Sequence, residues 1–208
     1  MTYPASGCLS PILEDKENLQ NCQNEAYKGS EYAQFILGLI YYNGDITNQD
    51  VIKSIEWFSK SAEQGFVYAQ YNLAVILNAG KGIPKNEKKA LQWLMEAAEQ
   101  DFDIAQFSLA QRYEIGEGVD QSPAMAAKWY LKAAEQGHSG AQNNMGVMYD
   151  TGVGVLKNKS RAYMFFYMAA LKGEQISIKN LALIKAEISK EQLKLAEQYT
   201  TQWMEQYP

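Results

Sequence analysis

One short segment recurs in this chain at a fixed interval of 36 residues. Its three copies are Ser61-Ala-Glu-Gln-Gly65, Ala97-Ala-Glu-Gln-Asp101 and Ala133-Ala-Glu-Gln-Gly137. The same step relates Trp57, Trp93, Trp129 and Phe165, and no insertion or deletion interrupts it between residues 26 and 173. A fixed period of this length is typical of stacked-repeat proteins, in which each repeat buries its apolar face against its neighbours.

Each repeat is predicted to be a pair of helices. In the second repeat, the first helix is indicated by apolar residues at helical spacing, namely Phe66, Ala69, Leu73 and Leu77. The second helix is indicated by another such stripe, namely Ala90, Trp93, Leu94, Ala97 and Ala98. The alanines allow the helices to approach closely, and Trp93 fills the space between them.

The predicted helix ends fit this division. The second helix of each repeat follows a residue whose side chain can accept a hydrogen bond from a first-turn amide: Asp50, Asn86, Ser122 and Asn158. Glycines at the helix ends predict a left-handed conformation, and Asp101 replaces glycine at one such position. Ser189 with Gln192 predicts a capping box that opens a last helix at about residue 190, ending near residue 206.

This pattern resembles the Sel1-like repeat family, a relative of the tetratricopeptide repeats. The residues that carry the resemblance are Ala141, Met145-Gly146 and Tyr149, Gly116-Glu-Gly118-Val119, and Trp129 with Ala133-Ala134. The resemblance covers residues 26–173 and implies an all-α fold, a right-handed α/α solenoid of 36-residue helix-turn-helix repeats. It also implies a bacterial protein with a role in protein interaction, and it implies no reaction.

The repeat frame predicts three regions. Residues 1–29 are an N-terminal segment with a capping half-repeat, whose incomplete second helix lies at about 14–28. Repeats one to four follow at 30–65, 66–101, 102–137 and 138–173. Residues 174–208 are a C-terminal capping helix pair, which begins with a partial first helix at about 174–187.

Charge and hydropathy restrict the partners of the chain. A formal net charge of −5 argues against a nucleic-acid partner, which would require a basic face. The longest apolar run, Ala162 to Leu171, is shorter than the ~20 residues of a membrane-spanning helix, so we expect a soluble protein without membrane insertion. No signal-peptide pattern opens the sequence, which predicts a cytoplasmic protein, or a periplasmic or secreted one if a signal was removed. The sequence does not decide whether Cys8 and Cys22 form a disulfide, which an oxidising compartment would allow.

The glycine-spaced turn Gly152-Val153-Gly154 raises the question of a phosphate loop. The same turn recurs as Gly80-Lys81-Gly82 and as Gly116-Glu117-Gly118, each time between two predicted helices. A phosphate loop would follow a strand and continue to a lysine and a hydroxyl residue. We therefore interpret these turns as helix ends.

His138 is the single histidine of the chain. It occupies a packing position that Phe66 and Phe102 hold in the preceding repeats. We predict that the protein is not an enzyme and has no catalytic residues, no cofactor and no metal site. One alternative stays open, a hydrolase or small-ligand site centred near His138 and Asp150.

In tetratricopeptide-like solenoids the first helix of each repeat lines the concave surface, so the resemblance places specificity on the part of that helix outside the core. Because successive residues of a helix are rotated by about 100° around its axis, the residues of this face can be identified in the sequence. Equivalent residues of the four repeats form one column of the face. The predicted partner-binding groove consists of Tyr32, Phe35, Leu39, Tyr68, Tyr71, Val75, Ile104, Phe107, Gln111, Glu114, Asn143, Val147 and Asp150. It is aromatic in repeats one to three and becomes polar and acidic in repeat four.

We expect repeats one to three to hold an extended or helical segment of another protein or a peptide. A row of exposed apolar side chains usually marks an interaction site, and Tyr and Phe offer large contact area with few rotors. The alternative is that these aromatic side chains pack between adjacent first helices and are half-buried.

The second helix of repeat four differs from its counterparts on its outer face. Met164, Met168 and Leu171 replace polar residues of the earlier repeats, and Tyr167 lies beside them. A helix that is apolar almost all round is usually buried. Either the C-terminal helix with Trp203 covers this face, or another chain does, which would make it a second interface of a homo-oligomer.

The sequence thus predicts a non-enzymatic module for protein–protein interaction, acting as an adaptor, a regulator or a toxin-neutralising protein. The alternatives are a structural protein that self-associates through the outer face of repeat four, and the hydrolase or ligand site near His138.

Overall fold

The computed structural model describes Cys8, residues 16–44 and residues 46–207. Within those residues the chain forms eleven α-helices and no strand, so the predicted all-α, α/α-solenoid fold class is confirmed. The chain divides into two compact units, Met1–Gln100 and Asp101–Pro208, which we call the N-terminal unit and the C-terminal unit.

The N-terminal unit contains five helices. They are α1 (Lys16–Tyr27), α2 (Glu31–Asn43), α3 (Val51–Glu63), α4 (Val67–Ala79) and α5 (Glu87–Glu99). Each helix packs against the next one along the chain. The core positions predicted for repeat two are buried, among them Leu73, Leu94 and Ala97, whereas Trp93 is half-buried. The helix predicted at about 14–28 is α1, and residues 14 and 15 lie outside the described residues.

The C-terminal unit contains six helices. They are α6 (Asp103–Ile115), α7 (Pro123–Glu135), α8 (Ser139–Thr151), α9 (Lys159–Leu171), α10 (Gln175–Glu187) and α11 (Lys190–Gln206). Successive helices pack together from α6 to α10, whereas α11 packs against α9. The Ser160 hydroxyl of α9 donates to the Gln192 carbonyl of α11 at 2.8 Å, which fixes this contact.

Side-chain caps begin the second helix of every repeat. The predicted residues Asp50, Asn86, Ser122 and Asn158 each accept a hydrogen bond from the backbone N–H three residues on, at 3.0 to 3.3 Å. These bonds satisfy first-turn amides that have no partner inside the helix. The capping box of Ser189 and Gln192 is also present at the start of α11. The predicted helix starts are therefore confirmed.

Left-handed residues end the helices at the predicted positions. Asp101 has φ of 60° and is the one residue other than glycine with positive φ in the described part of the chain. Glycine fills the equivalent position in the other repeats, for example Gly65 with φ of 91° and Gly137 with φ of 85°. The prediction that Asp101 adopts a conformation favoured by glycine is confirmed.

Close helix packing explains two further glycines. A Cβ on Gly38 of α2 would lie 2.5 Å from the Phe58 ring of α3. A Cβ on Gly146 of α8 would lie 2.6 Å from the Phe166 ring of α9. Both rings are buried, so each glycine creates the space that a phenylalanine of the partner helix fills.

A disulfide joins Cys8 to Cys22 of α1, and both cysteines are fully buried in the core of the N-terminal unit. This bond was left open by the sequence, because two cysteines alone do not reveal whether they pair. It closes a separation of 14 residues and so restricts the unfolded chain.

Candidate functional site

The first-helix face of the N-terminal unit carries six of the predicted groove residues. They are Tyr32, Phe35 and Leu39 on α2 and Tyr68, Tyr71 and Val75 on α4. Tyr68 and Val75 are 47% and 46% exposed, and the other four are half-buried. An aromatic and aliphatic surface on α2 and α4 is therefore in contact with solvent.

Ring contacts hold the half-buried aromatic side chains of this surface. The Phe35 ring centroid lies 5.1 Å from that of the buried Phe66 and 6.2 Å from that of Tyr68. The Tyr32 and Phe66 centroids are 6.3 Å apart, with the rings edge to face. Aromatic residues of α2 thus pack against those at the start of α4, and the exposed part of Tyr68 rests on a rigid cluster.

The C-terminal unit carries the other seven predicted groove residues on α6 and α8. They are Ile104, Phe107, Gln111, Glu114, Asn143, Val147 and Asp150. Ile104 and Val147 are 40% and 41% exposed, and the side chains of Gln111 and Glu114 are exposed as well. Phe107, Asn143 and Asp150 are half-buried.

Two of these residues are held by hydrogen bonds within the C-terminal unit. Tyr130, which is fully buried, donates its hydroxyl to the Glu114 carboxylate at 2.6 Å. Burial, together with that carboxylate, raises the pKa of Tyr130 above its ordinary value. The Asn143 side-chain oxygen accepts from the Ser177 hydroxyl at 2.9 Å and from the Asn180 amide at 3.1 Å. Glu114 and Asn143 therefore stabilise the packing of their own unit.

His138 caps the N-terminus of α8. Its Nδ1 accepts a hydrogen bond from the Ala141 backbone N–H at 3.2 Å, and its ring stacks on Phe107 with centroids 4.4 Å apart. Burial lowers the pKa of His138 and favours the neutral ring. An accepting Nδ1 in a neutral ring leaves Nε2 as the protonated nitrogen. His138 thus acts in helix capping and ring packing, and the serine Ser30 caps α2 in the same way.

The glycine-spaced turns are helix ends. Gly80, Gly116 and Gly152 have φ between 64° and 82° and follow α4, α6 and α8. Each N–H donates to the carbonyl four residues earlier, which is the usual way to close a helix in the left-handed conformation. The interpretation of these turns as helix ends is confirmed. In the residues that the structure describes, no cluster of three His, Cys, Asp or Glu side chains could hold a metal ion.

The second candidate interface lies on α9. Met164 and Met168 are buried, Tyr167 is half-buried, and Leu171 is 55% exposed. Helix α11 packs on this face of α9, where the Trp203 and Phe165 ring centroids are 4.9 Å apart. The sequence left two alternatives for covering this face, the C-terminal helix or another chain. In the structure it is the C-terminal helix α11 that packs on it.

A column of buried glutamines was missed by the sequence analysis. Its members are Gln34, Gln70, Gln106 and Gln142. They recur at the same 36-residue interval as the tryptophans, so the repeat itself carried the signal. Polar residues inside an apolar stripe need hydrogen-bond partners, which should have drawn attention to them.

The helix pairs define the class of this molecule as a helical-repeat protein. The sequence profile of the Sel1 repeat matches residues 31–66, 67–102, 103–138 and 139–174, which is more than half of the chain. The chain belongs to the Sel1 repeat family. Members of this family are generally modules for protein–protein interaction.

Solved structures of bacterial proteins have the same fold. A Sel1 repeat protein from Oxalobacter formigenes is 32% identical with a TM-score of 0.76, over 80% of this chain and 69% of that one. The protective antigen c5321 of uropathogenic Escherichia coli, described as an SLR fold, is 29% identical with a TM-score of 0.57, over 94% of this chain and 50% of that one. Helicobacter pylori cysteine rich protein B is 25% identical with a TM-score of 0.51, over 65% of this chain and 98% of that one.

Among proteins with curated functions, no relative was detected. Within the described residues, no helix is both long enough and apolar enough to cross a membrane.

Proposed function

We propose that this protein is a non-enzymatic binding module that holds a segment of a partner protein on its first-helix surfaces. The observation that carries the proposal is the exposed aromatic and aliphatic surface of α2 and α4, where Tyr68 and Val75 keep almost half of their area in solvent. Membership of a family whose repeats generally bind proteins supports the same function.

The construction of this surface favours binding of a protein segment. Tyr68 contacts Phe35 and Phe66, with centroids 6.2 and 5.6 Å apart, so its ring is held before a partner arrives. Side chains that are already ordered lose little entropy on binding, and tyrosine is enriched among the residues that dominate interface energies. Ile104 and Val147 are the exposed apolar side chains among the predicted groove residues of the C-terminal unit, and we propose them as further contact residues.

The environment of His138 supports a function without catalysis. A general base needs a free nitrogen directed at substrate, whereas Nδ1 of His138 is occupied by the α8 cap. The role that the chain gives its single histidine is therefore structural. We propose that adaptor, regulatory or neutralising functions follow from binding alone.

The disulfide bears on where this binding occurs. Cys8 and Cys22 are joined and buried in the N-terminal unit. Disulfides form and persist in oxidising compartments and are rare in the cytosol. We therefore propose a periplasmic or secreted location over a cytoplasmic one. A cysteine-labelling assay on protein from the native cell would contradict this location if both thiols were free.

Surface variants with a matched control test the proposed function. Purified wild type captures partners from native lysate, and captured proteins are re-tested as purified pairs. The variants are Tyr68→Ser with Val75→Ser in the N-terminal unit, and Ile104→Ser with Val147→Ser in the C-terminal unit. The control is Ile52→Ser, which removes an apolar residue at the start of α3 that is 63% exposed and thus more exposed than the residues changed in the variants. All residues changed are exposed, so circular dichroism should show unchanged folding.

Binding in the proposed manner predicts that at least one double variant loses the partner and that the control keeps it. For the double variant that loses the partner, the affinity should fall by about tenfold or more, as expected when anchor side chains are truncated. Equal affinity of all variants for every verified partner would overturn the proposal.

A further inference from the structure

The buried glutamines form one repeated hydrogen-bond motif. In repeat one the Gln64 amide donates to the Gln34 side-chain oxygen at 2.7 Å. In repeat two Gln100 donates to Gln70 at 2.7 Å, and in repeat three Gln136 donates to Gln106 at 2.8 Å. Each pair joins the end of a second helix to its own first helix and satisfies a buried acceptor.

Repeat four breaks this motif. The residue equivalent to Gln64, Gln100 and Gln136 is Lys172, whose ammonium donates to the Gly137 carbonyl. Gln142 still donates its amide to the Ala134 carbonyl at 3.1 Å, as its counterparts in repeats one and two do to theirs. Its oxygen is buried and has no hydrogen-bond partner in the described part of the chain. A buried acceptor without a partner has lost its hydrogen bonds to water and has gained none in return, which destabilises the folded state.

A cavity of about 260 Å³ lies at this break. Gln142, Gly137 and Lys172 line it, and Met168 of α9 and Trp203 of α11 add apolar walls. A volume of this size is far above the roughly 10–15 Å³ that one water requires and approaches the range of small-molecule sites. Trp203 and Met204 of α11 line the cavity, so it depends on the packing of α11 against α9.

The polar groups of the cavity differ in charge and in hydrogen-bonding role. Lys172 uses one of its three donors on Gly137, so two remain for an anionic group. The Gln142 oxygen is an acceptor and calls for an N–H or O–H donor. Glu135 also lines the cavity, and its carboxylate accepts the Tyr207 hydroxyl at 2.8 Å. Two residues with acceptor oxygens, Gln142 and Glu135, and one residue with an ammonium, Lys172, thus line the same cavity together with apolar side chains.

We propose that this cavity binds an α-amino carboxylate with an apolar side chain. Its carboxylate pairs with Lys172, its nitrogen donates to Gln142 with Glu135 nearby, and its side chain contacts Met168 and Trp203. This chemistry is shared by a free amino acid and by the last residue of a peptide. The site lies within the C-terminal unit and does not depend on the surface of α2 and α4.

Three small ligands test the proposal on the full chain. L-leucine carries an ammonium and a carboxylate, N-acetyl-L-leucine keeps the carboxylate with an amide N–H, and L-leucinamide has no carboxylate. Binding is measured by calorimetry and by the indole N–H signal of Trp203, which the Trp203→Phe variant assigns. We expect L-leucine or N-acetyl-L-leucine to bind and shift this signal, and L-leucinamide to leave it unchanged. Binding by L-leucine alone would indicate a free amino acid, and binding by the acetylated form alone would indicate a peptide end.

Lys172→Gln provides the decisive variant, because it places in repeat four the glutamine that the other three repeats have. The new side chain should bond to Gln142, so the variant should fold at least as stably as wild type. Its affinity for the binding ligand should fall by about tenfold or more. Lys179→Gln on α10 is the control, since it removes an exposed lysine that does not line the cavity. Two results would overturn the proposal: no shift of the Trp203 signal with either carboxylate ligand at millimolar concentration, or equal binding by wild type and Lys172→Gln.

Discussion

Repeats three and four share one backbone plan but differ where the second helix ends. In repeat three, the Gln136 amide at the end of α7 donates to the Gln106 side-chain oxygen of α6 at 2.8 Å. In repeat four, Lys172 turns to Gly137, Gln142 keeps an unsatisfied oxygen, and a cavity lies between them and α11. The two repeats thus differ in one residue of a buried pair, while Ser122 and Asn158 cap their second helices in the same way.

The outer faces of the second helices of repeats three and four also differ. Lys128 of α7 is exposed, whereas Met164 at the equivalent position of α9 is buried under α11. The apolar residue that α9 has in place of a lysine is therefore suited to contact with α11. Four predictions test this difference between the repeats.

The largest effect is expected from exchanging these two residues. Met164→Lys would place an ammonium among buried apolar groups and should lower the free energy of unfolding by about 2–4 kcal/mol. Lys128→Met changes an exposed position and should stay within about 0.5 kcal/mol of wild type. Urea unfolding followed by circular dichroism measures both. A similar small change in both variants would show that α11 does not cover Met164 in solution.

The next effect concerns Gly146. Gly146→Ala would bring a Cβ to 2.6 Å from the Phe166 ring, and overpacking of this kind costs about 1–3 kcal/mol. At the equivalent positions, repeat two has Ala74 and Leu94. Phe166→Leu should make room for the added Cβ. The loss of stability in the double variant Gly146→Ala with Phe166→Leu should therefore be smaller than the sum of the losses in the two single variants. Additive losses in urea unfolding would contradict this packing.

A smaller loss is expected when repeat three receives the lysine of repeat four. Gln136→Lys removes the amide that donates to the buried Gln106 oxygen and should cost about 1–2 kcal/mol. Gln198→Lys on the exposed face of α11 controls for the added charge. Thermal unfolding of the two variants gives the comparison. If both variants unfold at the same temperature, the glutamine pair does not stabilise repeat three.

The smallest effect is the pH dependence contributed by His138. Its pKa is lowered in the folded state by burial, so the unfolded chain binds the proton more tightly. The contribution to stability is complete above the unfolded pKa of about 6.5 and decreases as the pH falls from there through the folded pKa. Protonation of Nδ1 would also break the α8 cap. His138→Asn keeps a capping side chain and should lose less melting temperature than wild type between neutral and mildly acidic pH. Identical losses in the two proteins would refute this role.

Much of the fold could be predicted because the repeat period, the caps and the glycines are local signals. Asp50 and Asn86 mark helix starts through hydrogen bonds to residues three positions away, and Asp101 marks a helix end through its own φ angle. The residues of the candidate surface were harder to assign. Phe35 and Tyr68 lie in neighbouring columns, yet one is half-buried against Phe66 and the other is exposed, because this depends on side chains of a different helix.

The helix pairs and their ends follow from the amino-acid sequence alone, because hydrogen bonds within a few residues and a strict period specify them. The path of α11, the burial of Met164 and the cavity beside Gln142 are set by tertiary packing. These features depend on how a terminal helix without a repeat counterpart packs on distant residues. Packing of that kind is set by the shape and polarity of surfaces that come together only in the folded chain.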